Sequence, residues 1–294
     1  MSERFLDTDL VRRLEQVALV SRKLSTGRLK GERRSRRRGS STDFADYRNY
    51  VPGDDLRFLD WKLYGRHERL FLKLFLEEED LRVHLLIDTS ASMAYGTPAK
   101  LRHAQCVAAA LGYVGLARMD SLCAYAFAGG LRQQYGPRRG KQHRADYFDF
   151  LDSLAPEEGP TSLQASFKTF AAGVKQRGLA VVLSDFCDPA GYEDAFRQLF
   201  ARDFEVLAIQ ILAPEELAPD YEGDLRLVDA ETDAAIDVSM GREVLGLYAR
   251  TLSAFTNGLK DHIVSRGGSY LLTSTAQPVD TLVLDILRRK GVLR

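Results

Sequence analysis

Val83-His84-Leu85-Leu86-Ile87-Asp88-Thr89-Ser90-Ala91-Ser92 is the stretch on which the fold turns. Its first half is an apolar run broken only by His84, which suggests a strand buried on both faces, as in a parallel sheet. Its second half places Asp88, Ser90 and Ser92 at alternate positions just where the strand ends. In an open α/β sheet, ligands collect where loops leave the carboxyl ends of the strands.

Outward from this strand the pattern is regular. A helix is expected over 98–118, a strand over Leu122 to Phe127, and a short edge strand over Leu131 to Tyr135. Helices follow near 143–154 and 161–177, then a strand over Leu179 to Ser184, a helix from about Pro189 to Arg202 and a strand over Phe204 to Leu212. Leu225 to Val228 and Ala235 to Val238, joined by Glu231-Thr232-Asp233, read as a β-hairpin. A helix over 242–265, a strand over 269–274 and a terminal helix over 278–290 close the chain. Strands alternating with helices mean an α/β fold with a mostly parallel central sheet, flanked by helices and joined by right-handed crossovers.

The 81 residues before this region read differently. Helical spacing of Leu10, Leu14, Val17 and Leu24 predicts a helix over 8–24, with Thr8 or Asp9 as its cap. A basic stretch, Arg28 to Ser41, precedes a segment of aromatic, charged and turn residues in which Leu70 to Leu76 reads as a strand. The expected organisation is an N-terminal extension over 1–81 and an α/β domain over 82–294, with the hairpin as an insertion. The extension is expected to pack on the sheet or its edge, because Leu70 to Leu76 is apolar.

Composition narrows the class. The 294 residues are 45% hydrophobic and 28% charged, an ordinary globular balance. Lys plus Arg and Asp plus Glu both number 41, so net charge singles out no partner. Residues 1–40, however, hold 12 basic and 5 acidic side chains. Cys106, Cys123 and Cys187 show no CxxC spacing, and the first two lie in apolar stretches, which fits a reducing compartment and argues against a zinc site. Arg4, Asp7, Asp9, Arg12 and Arg13 interrupt any apolar core a secretory signal would need. His103 to Ala117, free of Asp, Glu, Lys and Arg, is shorter than the ~20 residues of a spanning helix. The expectation is a soluble cytoplasmic protein.

Three strand or loop ends present small oxygen-bearing residues. The first strand offers Asp88, Ser90 and Ser92, the loop Glu157 to Ser162 offers Thr161, and the strand ending at Ser184 offers Asp185. Mg²⁺ or Mn²⁺ takes oxygen ligands in near-octahedral geometry, whereas zinc or copper favours His and Cys, which this set lacks. Each piece alone also reads as local structure: a turn with a helix cap at Asp88 to Ser92, an N-cap at Thr161, a turn residue at Asp185. A shell rich in neutral hydroxyls leaves the ion electron-poor and able to accept one more anionic oxygen, such as a partner's Glu or Asp. No His stands assigned as base to Ser90 or Ser92, so the expectation is a non-enzymatic binding site.

Asp88, Ser90, Ser92, then Thr161, then Asp185 resembles the metal-ion-dependent adhesion site of the von Willebrand factor A domain, whose fold is Rossmann-like. By that resemblance Ser90, Ser92 and Thr161 contact the ion, and Asp88 and Asp185 act directly or through water. Phe186 follows Asp185 where many such domains have Gly, so the loop there is expected to differ in shape. A narrower resemblance rests on Gly39 to Phe44, Tyr47-Arg48-Asn49-Tyr50, Pro52-Gly53-Asp54-Asp55, Arg57 to Trp61 and Leu72-Lys73 ahead of the Asp88 motif. That succession is similar to the bacterial family called domain of unknown function 58, which is associated with MoxR-type AAA+ ATPases. The resemblance implies a partner or adaptor of such a chaperone-like ATPase, the A-type domain contacting the ATPase or its client.

Other features have blander readings. Arg33-Arg34-Ser35-Arg36-Arg37-Arg38 is capable of binding nucleic acid or an acidic membrane by counterion release, but no aromatic interleaves it. The favoured reading is a basic arm docked on the protein's acidic remainder or on an acidic partner. Asp54, Asp55 and Asp60 read as an ion-pair network with Arg48, Arg57 and Lys62, with Trp61 packed beneath. Asp188-Pro189 reads as a helix cap followed by Pro at the first helical position. His84 reads as a satisfied core residue. A metal-dependent phosphatase or hydrolase using Asp88 is the enzymatic alternative; phosphoaspartyl chemistry favours an acid where Ser90 stands.

Overall fold

The computed structural model describes residues 5–20, 44–75, 81–220, 223–229, 234–289 and 291–293. The basic stretch 28–38, the hairpin tip 231–233 and Leu76 lie outside them. In chain order the elements are α1 (Thr8–Leu14), β1 (Phe44–Asn49), α2 (Trp61–His67), β2 (Phe71–Phe75), β3 (Arg82–Asp88), α3 (Lys100–Ala117), β4 (Ser121–Phe127) and β5 (Leu131–Arg138). They continue with α4 (Arg144–Asp152), α5 (Leu163–Gly173), β6 (Leu179–Ser184), α6 (Glu193–Ala201), β7 (Glu205–Leu212), β8 (Gly223–Val228), β9 (Ala235–Met240), α7 (Arg242–Val264) and β10 (Ser269–Ser274). A single helical turn, Pro214–Leu217, follows β7, and Thr281–Leu287 closes the chain in a wider, π-type winding.

The chain divides into two compact units, one of residues 1–25 and 81–294 and a smaller one of 26–80. The first residues therefore group with the larger unit, unlike the expected boundary at 81. The reason is burial. Leu6, Leu10, Leu14 and Leu19 join the hydrophobic core formed by β3 and α3. The expected helix over 8–24 also stops early, at Leu14, and Leu19 pairs instead with Leu293 in an antiparallel bridge.

The larger unit is an α/β fold around a six-stranded sheet of order β10-β7-β6-β3-β4-β5. All neighbours are parallel except β5, which runs antiparallel to β4 at the edge. Side chains alternate across a strand, so β3 feeds two cores. Val83, Leu85 and Ile87 face a layer containing α1, α3, α4 and the terminal helical segment; Leu86 faces α5, α6 and α7. This two-sided burial is why β3 reads as a continuous apolar run.

α3 is almost wholly inside. Its small residues Ala104, Ala108, Ala109 and Ala110 bring its backbone close to the sheet. At Gly112 an added Cβ would stand 2.5 Å from the Tyr147 ring, whose hydroxyl donates to the Ala108 carbonyl at 2.7 Å. β8 and β9 form a separate antiparallel ladder with mostly exposed side chains, in line with an inserted hairpin. Among the described residues no helix is long and apolar enough to cross a membrane.

The smaller unit pairs β1 with β2 antiparallel, Arg48 opposite Leu72 and Asn49 opposite Phe71. Its carboxylates are structural. Asp54 takes both Arg48 Nη atoms at 2.7 and 2.8 Å, and Asp55 takes Arg57. Asp60 caps α2 through the Lys62 and Leu63 amides, accepts the Tyr47 hydroxyl, and pairs with Lys73 at 3.2 Å in place of the expected Lys62 side chain. Trp61 does not pack beneath this network. It is 64% exposed, because it is the first residue of a two-turn helix whose residues are none of them fully buried.

Candidate metal centre

Strand order creates the site. β3 is flanked by β4 on one side and β6 on the other, and the chain leaves β3 and β6 toward opposite faces. This reversal is the switch point at which open α/β sheets place a ligand crevice between carboxyl ends. Asp88 is the last residue of β3 and Asp185 the first after β6.

The loop after β3 is wound by its own side chains. Asp88 Oδ1 accepts the Ser90 amide at 2.9 Å, and a 3-10 turn runs from Ala91 to Ala94. Ser90 and Ser92, two apart, bring their Oγ atoms to 3.1 Å. Ser92 Oγ donates to Asp185 Oδ2 at 2.8 Å, so Ser90, Ser92 and Asp185 form one run of oxygens. Asp88 Oδ2 accepts the Ser184 hydroxyl at 2.5 Å, which ties the two strand ends together. Asp88, Ser90 and Asp185 are nearly inaccessible, while Ser92 and Thr161 are half-buried.

Thr161 belongs to the adjoining loop, which is pinned on both sides of it. The Glu157 amide donates to the Thr89 carbonyl at 2.7 Å, and the Ser162 amide to the Ala128 carbonyl at 3.0 Å. Ser162, not Thr161, is the N-cap of α5 and accepts the Ala165 amide, so this helix runs over 163–173 and the local role for Thr161 passes to its neighbour. Asp188 was expected to cap a helix beginning at Pro189. Instead its Oδ2 accepts the Leu163 amide at 2.7 Å, strapping the β6 loop to the start of α5. α6 begins only at Glu193, since the Gly191 amide bonds the Asp188 carbonyl and Gly191 adopts φ +83°.

Phe186 also takes a left-handed backbone, φ +61°, the conformation a glycine adopts freely. The sequence departure after Asp185 therefore leaves a glycine-like backbone in place. The ring repays the strain: it is buried, its centroid 5.5 Å from that of Phe196, and the Phe186 amide donates to Ser184 Oγ at 2.8 Å. Phe186→Gly is expected to relieve about 1 kcal/mol of strain but lose about 3–5 kcal/mol of ring burial. Urea unfolding should register a net loss of about 2–4 kcal/mol.

Electrostatically the two carboxylates differ. Burial first, and then the neighbouring Asp185 charge, raise the Asp88 carboxyl well above the usual carboxylate range, against the hydrogen bonds from Ser184 and Ser90. Asp185 has a cation of its own. Lys100 Nζ, 1% exposed, stands 2.7 Å from Asp185 Oδ2 and 2.7 Å from Glu216 Oε1. Burial works against this ammonium, but Asp185 and Glu216 outweigh it and raise its pKa. Glu216 is itself fixed by the Ala213 amide at 2.7 Å. Gln210 Nε2 holds the Asp185 carbonyl at 2.9 Å, and Tyr270 donates to Gln210 Oε1 at 2.6 Å.

Lys100, Glu216 and Gln210 were not picked out from the sequence. One signal existed for Lys100: a cation in the first turn of a helix runs against the helix dipole and calls for an anion nearby. Gln210 and Glu216 carry no comparable local signal.

The donor set suits a small hard cation. Oxygens adjacent on an octahedron of radius ~2.0–2.1 Å lie about 2.8–3.0 Å apart. The Ser92–Asp185 separation, 2.8 Å, falls on that edge and the Ser90–Ser92 separation, 3.1 Å, just beyond it; both are also ordinary hydrogen-bond distances. Among the described residues no three His, Cys, Asp or Glu side chains group as metal ligands, so an ion here would need the hydroxyls besides the two carboxylates.

A family model described as "Protein of unknown function DUF58" matches residues 46–253. Uncharacterized proteins of Mycobacterium tuberculosis and Mycobacterium bovis are each 27% identical over 293 residues, covering 98% of this chain and 92% of theirs. Among solved structures, the conserved hypothetical protein BatB from Bacteroides thetaiotaomicron overlays with a TM-score of 0.44 at 14% identity, over 72% of this chain and 98% of that one. An aerotolerance-related membrane protein from Bacteroides fragilis gives 0.44 at 16% identity, over 71% and 99% of the two chains.

Proposed function

Because this chain belongs to the DUF58 family, whose description assigns no activity, we propose its function from the chemistry of the site: a non-enzymatic, Mg²⁺-dependent protein-interaction domain of the von Willebrand factor A type. The observation that carries this reading is the run of oxygens Ser90, Ser92 and Asp185 at or near octahedral-edge spacing, in the crevice between β3 and β6. Ser90, Ser92 and Thr161 would hold the ion, with Asp88 and Asp185 directly or through water. When bound, the ion supplies a Lewis-acidic position for a partner's carboxylate. Asp88 and Ser184 keep the two strand ends in register, and the Asp188 strap holds the Thr161 loop against them.

The rim of the site supports a protein partner. The Tyr248 hydroxyl of α7 donates to the Glu216 main-chain carbonyl at 2.6 Å, beside the Lys100 cluster. Val244, Leu247 and Tyr248 lie on one face of α7 at 37%, 60% and 36% exposure. Apolar residues beside a polar centre are what a protein interface presents. The partner we propose is a MoxR-type AAA+ ATPase or its client, binding in the cytoplasm through a Glu or Asp.

The test is retention of the cognate ATPase on the immobilised protein, with Mg²⁺ or with EDTA. Ser90→Ala/Ser92→Ala should lower retention at least tenfold and match wild type in EDTA, while its melting temperature stays within a few degrees. Undiminished, EDTA-insensitive retention by the double variant would refute the reading.

A further inference from the structure

The Lys100 ammonium sits inside the cluster that the proposed ion would share. It bonds Asp185 Oδ2, the same oxygen that accepts the Ser92 hydroxyl, at 2.7 Å against 2.8 Å. Its second carboxylate, Glu216, is on the turn after β7, and its Nζ lies 5.9 Å from the centre of the Tyr95 ring. A lysine this deeply buried in the first turn of a helix has one evident use here, to neutralise two carboxylates.

We propose that Lys100 is the resident counter-cation of the metal centre: it holds Asp185, Ser92 and Glu216 assembled in the absence of a divalent ion and keeps the affinity for that ion low. This rests on the metal-dependent reading above. A fixed positive charge a few ångströms from a dication, in a partly buried site, opposes uptake by more than tenfold. Asp185 Oδ2 is also already shared between two donors, so its capacity to serve an ion is reduced. The consequence is a socket that is shaped in advance, holds its ion loosely alone, and holds it firmly once a partner's carboxylate adds negative charge. Lys100 is thus a positioning residue that sets metal affinity and makes it depend on the partner.

Calorimetry of Mn²⁺ and Mg²⁺ binding to the full chain, with thermal melting in EDTA and in Mg²⁺, tests this. Lys100→Met should bind Mn²⁺ at least tenfold more tightly than wild type. It should also melt lower in EDTA and recover more of its melting temperature when Mg²⁺ is added. Lys100→Met/Glu216→Gln keeps the net charge of wild type and is the arm to use if the single variant does not fold; it too should bind Mn²⁺ more tightly. Lys100→Arg should keep the affinity low. Equal or weaker Mn²⁺ binding by the folded Lys100→Met or double variant would overturn the role of Lys100 alone. Absence of Mn²⁺ binding by every form would overturn the metal-dependent reading together with it.

Discussion

Asp185→Ala is expected to destabilise the protein by about 3 kcal/mol in EDTA, far more than Glu216→Ala. Removing Asp185 strips the buried Lys100 ammonium of the more deeply buried of its two partners, 2% exposed against 23% for Glu216. It also leaves Ser92 Oγ and the Cys187 amide without their acceptor, since Asp185 Oδ1 takes that amide at 3.0 Å. Breaking a buried pair from one side costs about 3–5 kcal/mol, because the remaining charge stays desolvated. The surviving Glu216 contact places the loss at the lower end. Glu216→Ala leaves the Lys100–Asp185 pair intact and should cost about 1–2 kcal/mol. Urea unfolding in EDTA separates the two; similar losses would mean that Asp185 and Glu216 share the ammonium evenly. In Mg²⁺ the Asp185 variant should gain no stability beyond its EDTA value.

His84→Phe should remove about one proton of acid sensitivity from folding. His84 is 3% exposed, and its ring centre lies 5.5 Å from that of Phe170, 5.6 Å from Phe204 and 6.1 Å from Tyr125. Burial lowers it from 6.5 to about 4, with the Gln176 main chain opposing and Arg82 adding to the fall. The unfolded chain then binds a proton that the folded chain refuses between pH 6.5 and 4. The cost of keeping His84 neutral is absent above pH 6.5, grows as pH falls, and reaches about 3 kcal/mol below pH 4. Phe fills the same aromatic slot without titrating. The variant should gain about 2 kcal/mol on wild type at pH 5 relative to pH 8. His103 and Asp88 titrate in both proteins, so their contributions cancel in the comparison. An unchanged difference between pH 8 and pH 5 would show that His84 is charged inside the fold. The expectation of a satisfied histidine holds only weakly: the surrounding side chains are aromatic, and the one hydrogen-bonding group acting on the ring is the Gln176 main chain, outside good hydrogen-bond geometry.

The parts of the fold that were legible are those governed by local burial. β6 begins and ends where expected, and β3 and β4 differ by one residue, because a strand buried on both faces leaves few polar positions to blur its ends. The strand ends carrying Asp88 and Asp185 follow from the same runs. Starts of helices were less legible. Asp188-Pro189 has the composition of a capped start, yet Asp188 serves α5, 25 residues earlier, since its carboxylate reaches that helix's free amide across the crevice. Trp61 was expected beneath the ion-pair network of Asp54, Asp55 and Asp60, and a two-turn helix offers it no cover. The Lys100–Asp185–Glu216 cluster was invisible because its members lie 85 and 116 residues from Lys100, and an ion pair at that separation leaves no spacing to read.

Sequence separation has a consequence for assembly. Asp88 and Ser184 meet 96 residues apart, Ser92 and Asp185 93 apart, and the parallel pairing of β3 with β6 that joins them spans most of a domain. Loop closure of that length must come before any of the site's hydrogen bonds form, and proteins of high contact order reach such pairings slowly. The oxygens therefore converge only after the central strands have aligned, too late for the cation to template the nucleus. Metal uptake after dilution from denaturant should follow recovery of the sheet, and an ion added early should leave the folding rate unchanged.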